Sequence, residues 1–126
     1  YQSERTWLRA TLDGELVTDS PKRFGATNGI LEIKTATLRT KAQWEDWSGK
    51  MPQNYYCQCL HQLLATGWDY VILFALLMGD KDWTVREFFI DRDDAEEDIK
   101  WLLEEETKFW GFVERNERPP EKLPMI

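Results

Sequence analysis

The chain has 126 residues, of which 42% are hydrophobic and 31% are charged, and its formal net charge is −7. This length suits one domain with a single core, and the hydrophobic content excludes a disordered chain. The longest apolar run, residues 70–78, has roughly half of the about 20 residues that a membrane helix needs, so we expect no membrane span. Residues 91–126 carry 12 acids and 6 bases, whereas residues 1–90 carry 11 acids and 10 bases. The charge excludes a general polyanion binder but leaves nucleic acid as a partner of the first 90 residues.

The first part of the chain predicts two strands joined by a loop. Residues 6–17 are expected to form a strand, alone or with a turn at Asp13-Gly14. The polar residues 18–28 predict a hairpin loop, and residues 29–37 predict the second strand. Residues 38–50 predict a loop or a short helical turn.

A helix is predicted to begin at Pro52 and to run to about residue 66, because proline is favoured at a helix start and Gly67 just past its end. Its expected apolar side consists of Tyr56, Leu60, Leu63 and Leu64, and its expected polar side consists of Gln58, His61 and Gln62. Cys57 and Cys59 point about 200° apart on such a helix, so they cannot pair with each other there and are expected to be reduced core thiols.

The second part of the chain predicts two strands and a helix. The continuous apolar run at residues 70–78 is typical of a strand that is covered on both faces. A turn and a strand at residues 83–90 follow, and either Asp91 or Asp93 can cap the last helix, which ends before Arg118-Pro119-Pro120. The elements together predict one α/β domain, residues 1–126, with helices flanking a central mixed sheet and an extended tail at residues 116–126.

A group of charged side chains on the first two strands suggests a chemical site. Glu32 and Lys34 share one face of their strand because successive side chains alternate. Asp13 arrives from the neighbouring strand. Two carboxylates beside an ammonium can hold a divalent metal ion and activate a water, as in metal-dependent nucleases.

Each of these residues also has an ordinary explanation. Glu32 and Lys34 can form a surface ion pair, and Asp13-Gly14 can be a plain turn. His61 fits a packing or surface role better than a catalytic one. The order of elements favours the nuclease hypothesis more than any single motif does, because a hairpin, an E-x-K strand, a helix and a buried strand form the core of the PD-(D/E)XK nuclease fold.

Three segments resemble one family more closely. They are Ala10-Thr11-Leu12-Asp13-Gly14, Gly29-Ile30-Leu31-Glu32-Ile33-Lys34-Thr35, and the helix from Pro52-Gln53-Asn54-Tyr55-Tyr56-Cys57-Gln58 to Thr66-Gly67. In this order they resemble the YqaJ-type viral recombinase family, which is related to the phage lambda exonuclease. The resemblance spans roughly residues 5–120. Leu12 stands where the family commonly has proline.

The resemblance implies a role for each matching residue. Asp13, Glu32 and the backbone carbonyl of Ile33 would bind Mg²⁺ or Mn²⁺. Lys34 would orient or help to deprotonate the attacking water, or would stabilise negative charge. Gln58 would lie beside this group and position Lys34, water or phosphate. Candidate DNA contacts are Lys41, Lys50, Tyr56 and Trp44, although the lysines can equally be solvated, and Trp44 and Trp47 can cover the sheet instead.

The family also implies a function and its context. We expect a phage or prophage 5′→3′ exonuclease of recombination, acting on DNA in the bacterial cytoplasm, with a single-strand annealing protein as partner and a homo-oligomeric assembly. Relatives have an upstream helix that supplies a further active-site acid, and because this chain does not include that helix we expect it to be part of a longer protein. Two alternatives stay open: a related endonuclease, and a non-catalytic module that binds DNA or a protein.

Overall fold

The order of elements along the chain agrees with the expected order. A computed structural model describes residue 3 and residues 5–19 and 26–121. Its elements are β1 (Gly14–Asp19), β2 (Ala26–Thr37), α1 (Lys41–Glu45), α2 (Gln53–Thr66), β3 (Tyr70–Met78), β4 (Trp83–Asp91) and α3 (Glu96–Glu114). Between residue 115 and residue 121 the described chain forms no further helix or strand.

The four described strands form one sheet in the order β1-β2-β3-β4. β2 and β3 are parallel, and the two outer pairs are antiparallel. Parallel neighbours need a long crossover, which the segment containing α1 and α2 supplies. The prediction of a mixed α/β domain is therefore confirmed.

Helix α2 has the predicted ends. Pro52 occupies its N-cap position, and Gly67 follows its last residue with a left-handed φ of 70°. That conformation carries little cost for glycine, and the Gly67 N–H donates to the carbonyl of Leu63 at 2.9 Å. The pattern of a proline before the helix and a glycine after it thus located α2 correctly.

The beginning of the sheet differs from the prediction. β1 starts at Gly14 rather than at residue 6, and β2 starts at Ala26 rather than at residue 29. Two backbone carbonyls of the preceding segment contact side chains of α2: Arg9 O contacts His61, and Thr11 O contacts Gln62. Part of the predicted hairpin loop, residues 20–25, lies outside the described residues.

The prediction that β3 is covered on both faces is wrong. One face of the sheet is buried because α2 packs on it and Ala95 and Ile99, at the start of α3, join the same core. We call it the covered face, and its central residues are Ile30, Val71, Leu73, Ala75 and Leu77. The opposite face, here the open face, leaves several large side chains exposed: Ile33, Phe74, Trp83, Val85 and Phe89.

The prediction of an aspartate cap for α3 is also wrong. The N-cap residue is Ala95, which makes no side-chain capping bond. Asp91 Oδ1 instead accepts a hydrogen bond from the Asp93 N–H at 3.0 Å, so this carboxylate stabilises the turn before the helix. The first-turn acids Glu96, Glu97 and Asp98 still complement the positive end of α3.

Candidate active site

Asp13 lies where the pairing of β1 with β2 stops. The last backbone pair joins Gly14 to Leu31, and Asp13 Oδ2 accepts a hydrogen bond from the N–H of Ile33 at 2.8 Å. Just beyond the last backbone pair, the Asp13 side chain therefore replaces the backbone of β1 as the hydrogen-bond acceptor for β2. Because the N–H and C=O of one strand residue point toward the same edge, the Ile33 carbonyl points toward the edge that Asp13 occupies.

Glu32 faces the helices from the covered face and is only 3% exposed. Its Oε1 lies 3.0 Å from Lys34 Nζ and accepts a hydrogen bond from Gln58 Nε2 at 3.1 Å. Its Oε2 accepts from Gln62 Nε2 at 2.7 Å. A buried carboxylate is tolerated in a fold only when such partners replace water.

Lys34 and the two glutamines reach Glu32 for simple geometric reasons. Lys34 is two residues further along the same strand, so it points to the same face. Its Nζ also lies 5.0 Å from the centroid of the Tyr55 ring, within the range of a cation–π contact. Gln58 and Gln62 are four residues apart on α2 and therefore lie one above the other on one side of the helix.

The structure thus brings together three of the residues predicted from the sequence, Glu32, Lys34 and Gln58. It also places the Asp13 carboxylate against the backbone of Ile33, the residue after Glu32. It adds Gln62, which the sequence assigned to the polar side of α2. Gln62 is 2% exposed, so that assignment is wrong. The four-residue spacing of two glutamines opposite a strand acid was a signal that could have identified it. We call these five residues the carboxylate cluster.

The nearby cysteines do not provide a nucleophile. Burial, aided by the Glu32 carboxylate and opposed by Lys34, raises the pKa of Cys59 to about 12. Burial and the carboxylates of Asp98 and Glu106 also raise the pKa of Cys57. Both cysteines are free and stay protonated near neutral pH, as expected for core thiols.

The four candidate DNA contacts have varied surroundings. Lys41 and Lys50 are exposed, and Trp44 is half-buried against the core. Tyr56 donates its hydroxyl to Asp98 of α3, and burial together with this carboxylate raises the Tyr56 pKa. Their contact with DNA stays a prediction. Trp47 is buried against Tyr55 and Phe88, so it packs in the core.

His61 has a structural role. Its Nδ1 lies 2.6 Å from Glu106 Oε1, and its Nε2 lies 2.6 Å from the Arg9 carbonyl oxygen. Both partners are acceptors, so they favour the imidazolium, and the hydrogen bond to Glu106 raises the His61 pKa although burial opposes it. His61 also borders a cavity of about 380 Å³ that does not contain the carboxylate cluster; its lining is Trp7, His61, Glu105, Glu106, Phe109 and Trp110.

The described residues contain neither a cluster of metal-ligand side chains nor a membrane-spanning helix. No group of three or more His, Cys, Asp or Glu side chains there is arranged to hold a metal ion. Within the same residues, no helix is long and apolar enough to cross a membrane. An oxygen site for a metal would therefore combine the two acids with a backbone carbonyl or water.

Comparison with known proteins gives one family and one solved structure. The family described as "YqaJ-like viral recombinase domain" matches residues 1–69, which include all five residues of the carboxylate cluster. The crystal structure of an alkaline exonuclease (LHK-Exo) from Laribacter hongkongensis is similar, with 19% identity and a TM-score of 0.35. The similarity covers 82% of this chain and 63% of that chain. No curated protein sequence matches significantly.

Proposed function

Because the chain belongs to the YqaJ-like viral recombinase domain family, we propose that it is the nuclease domain of a recombination exonuclease that hydrolyses DNA with a divalent metal ion. The supporting observation is the convergence of two acids and an amine at β2: Asp13 on the Ile33 N–H, and Lys34 on Glu32. This convergence is what the family resemblance predicts from the sequence.

The donor chemistry of this site fits Mg²⁺ or Mn²⁺. Asp13, Glu32 and the carbonyl of Ile33 would hold the ion, because hard cations prefer oxygen ligands and keep some of their waters. When bound, the ion supplies positive charge for the phosphate oxygens and lowers the pKa of a nearby water. Glu32 already has both oxygens oriented by Lys34, Gln58 and Gln62, so little reorganisation is needed.

Lys34 and Gln58 would act on the substrate side of the site. The Lys34 ammonium is a donor with three N–H bonds, of which the contact to Glu32 Oε1 needs one. The others can orient the attacking water or bind a phosphate oxygen as negative charge develops on it. The Gln58 amide, exposed on α2, can position the same groups.

The first test is DNA hydrolysis by the full-length protein with Mg²⁺ or Mn²⁺. We expect Asp13→Asn, Glu32→Gln and Lys34→Ala each to lower the rate by about 10²- to 10⁴-fold, because several kcal/mol of transition-state stabilisation would be lost. EDTA should abolish cleavage. Exposed charges outside the cluster provide matched controls: Glu15→Gln and Lys81→Ala should stay within about twofold of the parent. Metal-independent cleavage, or equal loss in the controls, would contradict the proposal.

The finer assignment is a phage or prophage 5′→3′ exonuclease that works with a single-strand annealing protein and acts as a homo-oligomer in the cytoplasm. Linear duplexes labelled at the 5′ or the 3′ end test the direction of digestion. Covalently closed circular DNA separates the alternatives, because an exonuclease leaves it intact and an endonuclease nicks it.

One observation favours a second function, binding of DNA or a protein without cleavage. Both oxygens of Glu32 already accept hydrogen bonds, and the side chain is buried, so these contacts can serve the fold without a metal ion. Binding of DNA in a gel shift with Mn²⁺ present, without any cleavage by the full-length protein, would support this function instead.

A further inference from the structure

We infer that Gln62 is a positioning residue that sets the separation of the two metal-binding carboxylates, Asp13 and Glu32; this inference rests on the proposed function. Gln62 would touch neither DNA nor metal. It would act through the two acids, by holding the segment that precedes one of them against the side chain of the other.

The hydrogen bonds of Gln62 connect the two acids. Its Nε2 donates to Glu32 Oε2 at 2.7 Å and lies 3.3 Å from the carbonyl oxygen of Thr11. Thr11 is two residues before Asp13, whose carboxylate accepts from the N–H of Ile33 at 2.8 Å. Ile33 directly follows Glu32. A single amide therefore links the side chain of one acid to the backbone that carries the other.

Gln62 keeps this position at an energetic cost. It is 2% exposed, and its Oε1 has no hydrogen-bond partner within the described part of the chain. A buried acceptor without a partner is destabilising, and an apolar residue of similar size would avoid that penalty. The two bonds of Nε2 are the compensating feature, and both lead to the candidate acids.

Gln58 differs from Gln62 in two respects. Gln58 is exposed, and it contacts Glu32 Oε1, the oxygen that Lys34 also contacts. Loss of Gln58 would leave that oxygen paired. Gln62 contacts the other oxygen, Oε2, so its loss would leave Oε2 without this donor and would also detach Thr11.

The test measures metal binding and stability separately in the full-length protein. We expect Gln62→Leu to weaken Mn²⁺ binding, followed by calorimetry, by about 10- to 100-fold, the usual effect of removing a group that orients a metal ligand. The Mn²⁺ concentration for half-maximal DNA cleavage should rise in parallel. The Tm without metal should fall by a few degrees, because Glu32 Oε2 and the Thr11 carbonyl lose their donor, so Mn²⁺ affinity is compared well below the Tm of the variant.

The matched control is Asn54→Ala, which removes an exposed amide from the same helix. It should change neither Mn²⁺ affinity nor Tm by a measurable amount. A purely structural role for Gln62 predicts a lower Tm for Gln62→Leu with an unchanged Mn²⁺ affinity of the folded fraction. That pattern would overturn the inference.

A measurement on the unaltered protein covers the case in which the variant does not fold. The side-chain amide of Gln62 should exchange slowly with solvent, and its NMR signals should shift when Mg²⁺ is added. Signals that do not respond while Mg²⁺ binds would overturn the inference and leave the proposed function intact. If the parent protein binds no metal and cleaves no DNA, the proposed function itself fails.

Discussion

The two faces of the sheet are built from similar residues but have different surroundings. On the covered face, Leu73 and its neighbours are inaccessible beneath α2 and α3, and the charged Glu32 is buried among them. On the open face, Phe74, Val85 and Phe89 are between 39% and 54% exposed. The strands therefore combine two roles: the covered face stabilises the fold and holds the carboxylate cluster, and the open face contributes less to either.

The largest expected difference between the faces is in cavity formation. Leu73→Ala should lower the free energy of unfolding by about 2–5 kcal/mol, because Leu73 is fully buried and its surroundings cannot close the space. Leu76→Ala, on the same strand and facing the open side, is the matched control and should cost less than half as much. Urea denaturation of both variants measures the two values. Equal losses would show that the faces do not differ in packing.

One part of the open face is closed, at the start of β3 where Tyr70 lies over Gly29. A Cβ on Gly29 would come 2.1 Å from Tyr70 Cζ, and the Tyr70 ring is itself buried and stacked on Phe89. Gly29→Ala should therefore cost about 1–3 kcal/mol, since the ring must move. Gly14→Ala, on the adjacent strand, is the control, because its Cβ would meet Leu31 at an ordinary 3.4 Å. Thermal unfolding of the two variants should separate them clearly.

The sequence predicted the elements better than their surroundings. The bounds of β3 agree exactly with the apolar run at residues 70–78, and Pro52 and Gly67 located α2. The same run wrongly indicated cover on both faces, because hydrophobicity reports what a strand can bury and not which helices are present to bury it. The sequence predicts a strand before β1 because the contacts of this segment with α2 are tertiary and leave no pattern that would argue against a strand.

At the candidate site, too, the sequence predicts the residues better than their surroundings. Short motifs and the family resemblance predict Asp13, Glu32, Lys34 and Gln58 as site residues. Gln62 was assigned to the polar side of the helix, since a glutamine is usually exposed. Only the position of Glu32 beneath α2 makes this amide a buried partner, and that depends on how the helix packs on the sheet.

A smaller effect is expected at the edge of the helix layer, where His61 joins α2 to α3 and to the N-terminal segment. Because its pKa is raised in the folded chain, the stabilisation by His61 is fully present below the unfolded pKa of about 6.5 and is lost as pH rises through the folded pKa. The contribution should be at most about 1 kcal/mol, since the pair with Glu106 is partly exposed.

The difference in stability between the parent and His61→Gln, measured from pH 5 to pH 9, tests this prediction. It should be largest at the acid end and shrink as pH rises. A difference that grows with pH would mean that neutral His61 is the form stabilised by folding, contrary to its two acceptor partners.

The smallest effect is expected where a side chain of the open face becomes polar. Val85→Thr should change the free energy of unfolding by less than about 0.5 kcal/mol, because Val85 is 54% exposed and water can solvate the new hydroxyl. Val71→Thr makes the same change on the covered face, where Val71 is fully buried, and should cost about 1–3 kcal/mol because the hydroxyl loses water. Urea denaturation of the full-length protein and of its two variants gives both values. If Val85→Thr costs as much as Val71→Thr, the two faces of the sheet do not differ in burial.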